Sequence, residues 1–294
     1  MSTDELTTMS VHTPDGRALE VALAGPPDGV PLFSHHGTPG AAGIFAPLVE
    51  LGAERDLRHI TYSRPGYGRS TRLGARSIAA CVHDVVAIAD ALGYERFHSV
   101  GGSGGGPHSL ACAALLPERV ISAAAIASPA PFDADGLDWT AGMGQENIDE
   151  FGAVQAGEGE LRRYLEQQAA AIDGARGDQI VEVLGDLVSE VDRRALSGAF
   201  GDHLARQLTH SLSSGVWGWF DDDRALIADW GFELGQVRVP VSIWHGAQDR
   251  FCPIAHGEWL TNHLQGSAHL RPDDGHLSLA ISSYGEILDG LLER

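Results

Sequence analysis

Residues 97–116 read FHSVGGSGGGPHSLACAALL, five glycines around one serine with an apolar run before them and a helix-forming run after them. A flexible linker needs polar, low-complexity neighbours, which this run lacks. The spacing Gly101 to Gly106 resembles a phosphate loop. Pro107-His108, however, occupy the positions where a lysine and a hydroxyl residue would hold phosphate and Mg²⁺. A dinucleotide G-x-G-x-x-G also fails, because position 107 is proline. What fits is G-x-S-x-G, Gly101 to Gly105, on a sharp turn from strand to helix. Proline is tolerated in the first turn of the helix that follows. Strand and helix cross closely at such a turn, so the residues two before and two after the serine must be small. The start of the helix points N–H groups at any negative charge that develops on a substrate oxygen.

A serine hydroxyl needs a base to take its proton, and the base needs an acid to hold its tautomer. On this kind of turn the chain order is serine, then Asp or Glu, then His. Asp249 follows the apolar stretch Val241-Ser242-Ile243-Trp244, in the loop leaving a buried strand. His276 follows the last strand-like stretch, Ala268–Leu270. Of the 14 histidines, His256 and His263 fall on the helix between these strands and His269 within a strand, so His276 alone combines the order with the placement. An oxyanion hole takes one N–H from the residue after the nucleophile, here Gly104. The second comes from an earlier strand end, for which Thr38 in Ser34-His35-His36-Gly37-Thr38-Pro39-Gly40 is the candidate. His35-His36 have no third ligand at metal spacing, so no metal and no cofactor are expected.

Composition narrows the partners. The net charge is −20, from 40 acidic and 20 basic residues, with no basic stripe, so nucleic acid and anionic membrane surfaces are excluded and a small-molecule substrate is expected. Three separated cysteines argue against a disulfide framework and for a reducing cytoplasm. The N-terminal stretch is polar and acidic, unlike a signal peptide, and no apolar run approaches the roughly 18 residues of a membrane span.

Short apolar runs alternate with amphipathic helical stretches, the pattern of helices layered on a mostly parallel sheet. Strands are expected at 19–23, 31–34, 59–63, 97–100, 121–126, 241–244 and 268–270. A helix through Ile78, Val82, Val85, Val86, Ala89 and Leu92 is stopped by Gly93. Residues 133–232 break the alternation and read as a helical insertion between two strands, a lid on a core made of 1–132 and 233–294. Within it, Trp217, Trp219 and Phe220 are candidates to line an apolar pocket or to pack the lid. Glu146, Asp149, Glu150 and Asp221-Asp222-Asp223 could hold a substrate amine; such clusters are more often solvated faces.

From Leu19 onward the chain resembles bacterial α/β-hydrolase-fold serine hydrolases, through HGTPG (36–40), SRPGYGRS (63–70), GGSGG (101–105), GAQDRFCP (246–253) and DGH (274–276). The resemblance implies Ser103 as nucleophile, Asp249 as acid, His276 as base, and Thr38 and Gly104 as oxyanion donors. It implies hydrolysis of an ester, thioester or amide, carboxylesterase-like. HGTPG is similar to the HGGPG of proline iminopeptidases, but those carry a bulky Trp after the serine where this chain has Gly104. A small-molecule receptor, or non-hydrolytic chemistry on the same fold, remains an alternative.

Overall fold

A computed structural model describes residues 6–293; residues 1–5 and 294, counted in the expected core, lie outside them. Eight strands form one sheet: β1 Thr7–His12, β2 Ala18–Ala24, β3 Val30–His35, β4 Leu57–Tyr62, β5 Phe97–Gly102, β6 Val120–Ile126, β7 Val241–Gly246 and β8 Ser267–Arg271. Their order is β1-β2-β4-β3-β5-β6-β7-β8. Only β2 runs against its neighbours; β4 through β8 are mutually parallel.

Seven strands match the expected runs to within three residues at each end. β1 was not expected. Four of its first residues and His12 are exposed and Val11 alone is buried, so it carries no period-2 apolar signal. It is a polar edge strand, pinned to β2 by a hairpin in which the Thr13 N–H donates to the Arg17 carbonyl at 2.9 Å.

The parallel strands are buried on both faces, which explains their unbroken apolar runs. Alternate residues feed opposite layers. Phe33, Phe97 and Ile243 pack with the Cys81–Leu92 helix and the Gly106–Leu115 helix, whereas Leu32, Val100 and Trp244 pack with the C-terminal Tyr284–Leu292 helix. The Cys81–Leu92 helix ends at Gly93 in the left-handed conformation (φ +76°), the stop expected there.

Between β6 and β7 the described residues contain six α-helices and no strand. Leu161, Leu165, Ile180, Leu196, Leu208 and Trp219 from this segment form a third apolar cluster, joined from outside it by Tyr67.

The chain leaves β3 toward β4 on one side and returns at β5 on the other. Loops after β3 and β5 therefore diverge, opening a crevice at the carboxyl ends of two adjacent strands, the place where open α/β sheets bind ligands. Thr38 follows β3 and Ser103 follows β5.

Candidate active site

Ser103 sits between β5 and the Gly106–Leu115 helix with φ +53°, a conformation that non-glycine residues rarely adopt. The flanking glycines permit the turn. A Cβ on Gly101 would strike the Gly105 carbonyl oxygen, and one on Gly105 would strike the carbonyls of His35 and His36. Pro107 occupies the first helical turn, where its missing N–H costs nothing.

Asp249 and His276 leave β7 and β8 and meet: His276 Nδ1–H donates to Asp249 Oδ2 at 2.7 Å. The other carboxylate oxygen accepts from the N–H groups of Phe251 (2.9 Å) and Cys252 (2.8 Å). Burial alone would raise the Asp249 pKa, but the His276 charge and hydrogen bonds with His245 and His276 outweigh it and hold the group at about 2. For His276 burial would lower the pKa; Asp249, with Asp192 adding to it, raises it above the ordinary 6.5. The Phe251 ring stacks on the imidazole at 4.5 Å. Ser103 and His276 line one cavity, although Ser103 Oγ and His276 Nε2 are not hydrogen-bonded to each other. Such bonds often tighten only when substrate is bound.

Asp192, from the Glu190–Ala195 helix of the insertion, is a residue that sequence reasoning missed. Fully buried, it accepts from the N–H groups of His276 (3.0 Å), Leu277 (2.9 Å) and Ser278 (2.8 Å) and from the hydroxyls of Ser189 (2.9 Å) and Ser278 (2.9 Å). It thereby caps the His276–Ser282 helix from 84 residues away and fixes the backbone that carries the imidazole. Gly275 is required for this approach, since a Cβ there would strike the Asp192 carboxylate.

The loop after β3 is held from beneath by Arg64, which is almost wholly buried (1% exposed). Its guanidinium donates to the carbonyls of His36 (2.5 Å) and Gly37 (2.9 Å) and pairs with Asp222 at 2.6 Å. Asp222 also accepts from Thr38 Oγ1 (2.9 Å), Tyr67 Oη (2.9 Å) and Arg76 (2.5 Å). His36 Nδ1 adds a second donor to the Gly37 carbonyl at 2.7 Å. Carbonyl and N–H point opposite ways across a trans peptide, so pinning the Gly37 C=O turns the Thr38 N–H away from Arg64. That N–H has no acceptor among the described residues. It lies beside Gly104: a Cβ on Gly104 would be 3.4 Å from Thr38 N and would strike Thr38 Oγ1. The bulky residue of proline iminopeptidases has no room here.

Two cavities share Ser103, Thr38 and Pro39. The larger, about 320 Å³, contains His276 and is walled by apolar side chains such as Phe45, Phe200 and Leu277. The smaller, about 110 Å³, contains Gly104; apolar side chains such as Met143, Phe151 and Leu187 line it together with Trp219, Tyr164, Glu146, Glu150 and Asp223. Of the three aromatics singled out in the sequence, Trp219 lines the cavity. Trp217 packs under Arg72 (4.0 Å to the ring centre), and Phe220 is buried against Trp217, away from both cavities.

The three consecutive aspartates are buried rather than solvated. Asp221 pairs with Arg72 at 2.7 Å and Asp222 with Arg64 and Arg76. Asp223 has neither ion pair nor hydrogen-bond donor among the described residues. Beside it stands Glu150, half-buried, which lines the smaller cavity and accepts from Trp219 Nε1 at 2.8 Å. Burial pushes Glu150 up to about 7 and Asp223 well above its usual range, and their mutual repulsion adds to the Asp223 shift. The described residues contain no group of three His, Cys, Asp or Glu side chains that could hold a metal ion, and no helix long and apolar enough to cross a membrane.

The sequence model of the family described as alpha/beta hydrolase fold matches residues 30–280. The chain is 25% identical over 282 residues to a non-heme chloroperoxidase of Streptomyces lividans, covering 95% of this chain and 96% of that one. It is 30% identical over 231 residues to a pimeloyl-[acyl-carrier protein] methyl ester esterase of Chromobacterium violaceum, covering 78% and 80%. The crystal structure of the enol-lactonase from Burkholderia xenovorans superposes with a TM-score of 0.72 at 16% identity, covering 97% of this chain and all of that one, a likeness of fold.

Proposed function

We propose, from the premise that this chain belongs to the alpha/beta-hydrolase-fold family, that it is a serine hydrolase cleaving an ester, thioester or amide of a small molecule through an acyl-enzyme. Ser103 Oγ attacks the substrate carbonyl while His276 Nε2 takes its proton. Asp249 keeps Nδ1 protonated and stabilises the imidazolium. The carbonyl oxygen, now negative, accepts from the N–H groups of Thr38 and Gly104, each worth about 3 kcal/mol in the transition state. His276 then gives its proton to the departing oxygen, sulfur or nitrogen. Water, deprotonated by the same imidazole, frees Ser103 from the acyl group.

The observation that carries this reading is the Asp249–His276 bond of 2.7 Å, with His276 lining the same cavity as a serine at φ +53°. The strained strand-to-helix turn presents Ser103 to the cavity, as a nucleophile on such a turn requires. The helical segment 133–232 acts as a cap whose residues shape the smaller cavity and, through Asp192, hold the base. The test is hydrolysis of a panel of short and long acyl esters by wild type and Ser103→Ala. The reading expects a fall in kcat on the order of 10⁶ for the variant. A variant that keeps more than a tenth of the wild-type rate contradicts it.

A further inference from the structure

We propose that the smaller cavity is a cation subsite in which Asp223 and Glu150 bind an ammonium group carried on the acyl portion of the substrate. The inference rests on the serine-hydrolase reading for the assignment to the acyl portion, and on the cavity's own chemistry for the ligand class.

The chemistry begins with a carboxylate left without a donor. The arginines that reach this part of the insertion, Arg64, Arg72 and Arg76, are paired with Asp221 and Asp222. Asp223, fully buried, is left with two carboxylate oxygens and no donor for either. Its neighbour Glu150 is within hydrogen-bonding reach, so two acceptors face each other with nothing between them. A buried carboxylate without a donor costs several kcal/mol, and structures retain such a group only where something satisfies it. A shared proton does this in the empty site, consistent with the raised pKa of both groups. An ammonium, with three donors and a full positive charge, does it better, and the rings of Trp219 and Tyr164 are among the groups that line the cavity with the pair. Arg76 is the arginine whose charge reaches Asp223, but its hydrogen bond goes to Asp222 and it donates nothing to Asp223.

The position of the cavity says which part of the substrate carries the cation. The leaving group must depart on the side of His276, which protonates it, and His276 lines only the larger, apolar cavity. The acyl carbon is held at Ser103 with its oxygen toward Thr38 and Gly104, and the smaller cavity opens from those residues. The acyl group therefore extends toward Glu150 and Asp223. At about 110 Å³ that lobe takes a short aminoacyl unit and not a long chain. The substrate class is an ester or amide of a small amino acid with an apolar leaving group.

The test compares matched phenyl esters that differ by ammonium against methyl: alanine against 2-methylpropanoate, and β-alanine against butanoate, each rate corrected for uncatalysed hydrolysis. Wild type is expected to favour the ammonium member of at least one pair by about tenfold or more in kcat/KM, and Asp223→Asn and Glu150→Gln to bring that ratio near unity. Asp149→Asn, on the same helix as Glu150 but exposed, is expected to keep the ratio. Preference for the methyl member in both pairs, or a ratio unmoved in both variants, overturns the proposal. Calorimetry on Ser103→Ala with the corresponding anilides separates the two readings. Tighter binding of the ammonium anilide by a protein that in wild-type form cleaves none of the esters supports the cation site and rejects the hydrolase. Equal affinity, with esters cleaved by wild type, rejects the cation site alone.

Discussion

Replacing Asp192 with alanine removes five hydrogen bonds from one fully buried carboxylate. Of the three backbone N–H groups it leaves behind, those of His276 and Ser278 belong to buried residues, and each such orphan costs about 1–3 kcal/mol. Loss of the helix cap is the same effect counted from the helix side, so the two are not added. The expected loss is about 4 kcal/mol in the free energy of unfolding by urea. That is a large share of the 5–15 kcal/mol of an ordinary domain, but survivable. Asp192→Asn keeps one acceptor oxygen and is expected to lose about half as much. Kinetics supply the readout that a purely structural role would not move. The Asp192 charge favours the imidazolium of His276, so its removal lowers that pKa and shifts the acid limb of kcat/KM to lower pH in both variants. A stability change under about 0.5 kcal/mol in the alanine variant, or an acid limb that stays or moves upward, would refute the assignment of Asp192 as the clamp on His276.

Three further outcomes are expected. His276 must be neutral to act as base, and its pKa is raised by Asp249, so kcat/KM should fall with one proton on acidification with a midpoint above 6.5; a profile flat from pH 5 to 8 excludes it as the base. Gly104→Ala drives a methyl group into Thr38 Oγ1, which Asp222 and Arg64 prevent from yielding, so kcat should drop about a hundredfold in steady-state ester hydrolysis while labelling of Ser103 persists. Asp222→Asn leaves Arg64 and Arg76 buried beside a neutral partner and should cost about 3–5 kcal/mol in chemical unfolding, with retention of full stability the contrary result.

How much of this was legible in the sequence follows from the range of each interaction. The turn at Ser103 is built by residues within four positions of it: Gly101, Gly105 and Pro107 each serve a local steric need, so the motif carries its own geometry. Asp249 and His276 could be found because strand ends mark sites in parallel sheets. β1 could not, because a polar edge strand with one buried residue has no period to detect. Asp192 and the Arg64–Asp222 pair lay beyond reach for a different reason. Their partners stand 84 and 158 residues away, and a buried charge looks in sequence like a surface one. The Asp221-Asp222-Asp223 run reads as a solvated face until three arginines at 64, 72 and 76 are folded against it. The one available hint was those three arginines spaced over 13 positions in a chain with only 20 basic residues.

Intact-mass and peptide-level mass spectrometry after exposure to a fluorophosphonate reads the central chemistry directly. Reaction of an activated serine with its base in reach predicts a single adduct on the peptide bearing Ser103, absent from Ser103→Ala and slowed at least a hundredfold in His276→Ala. An adduct on another serine, or equal labelling rates with and without the His276 imidazole, would contradict the account.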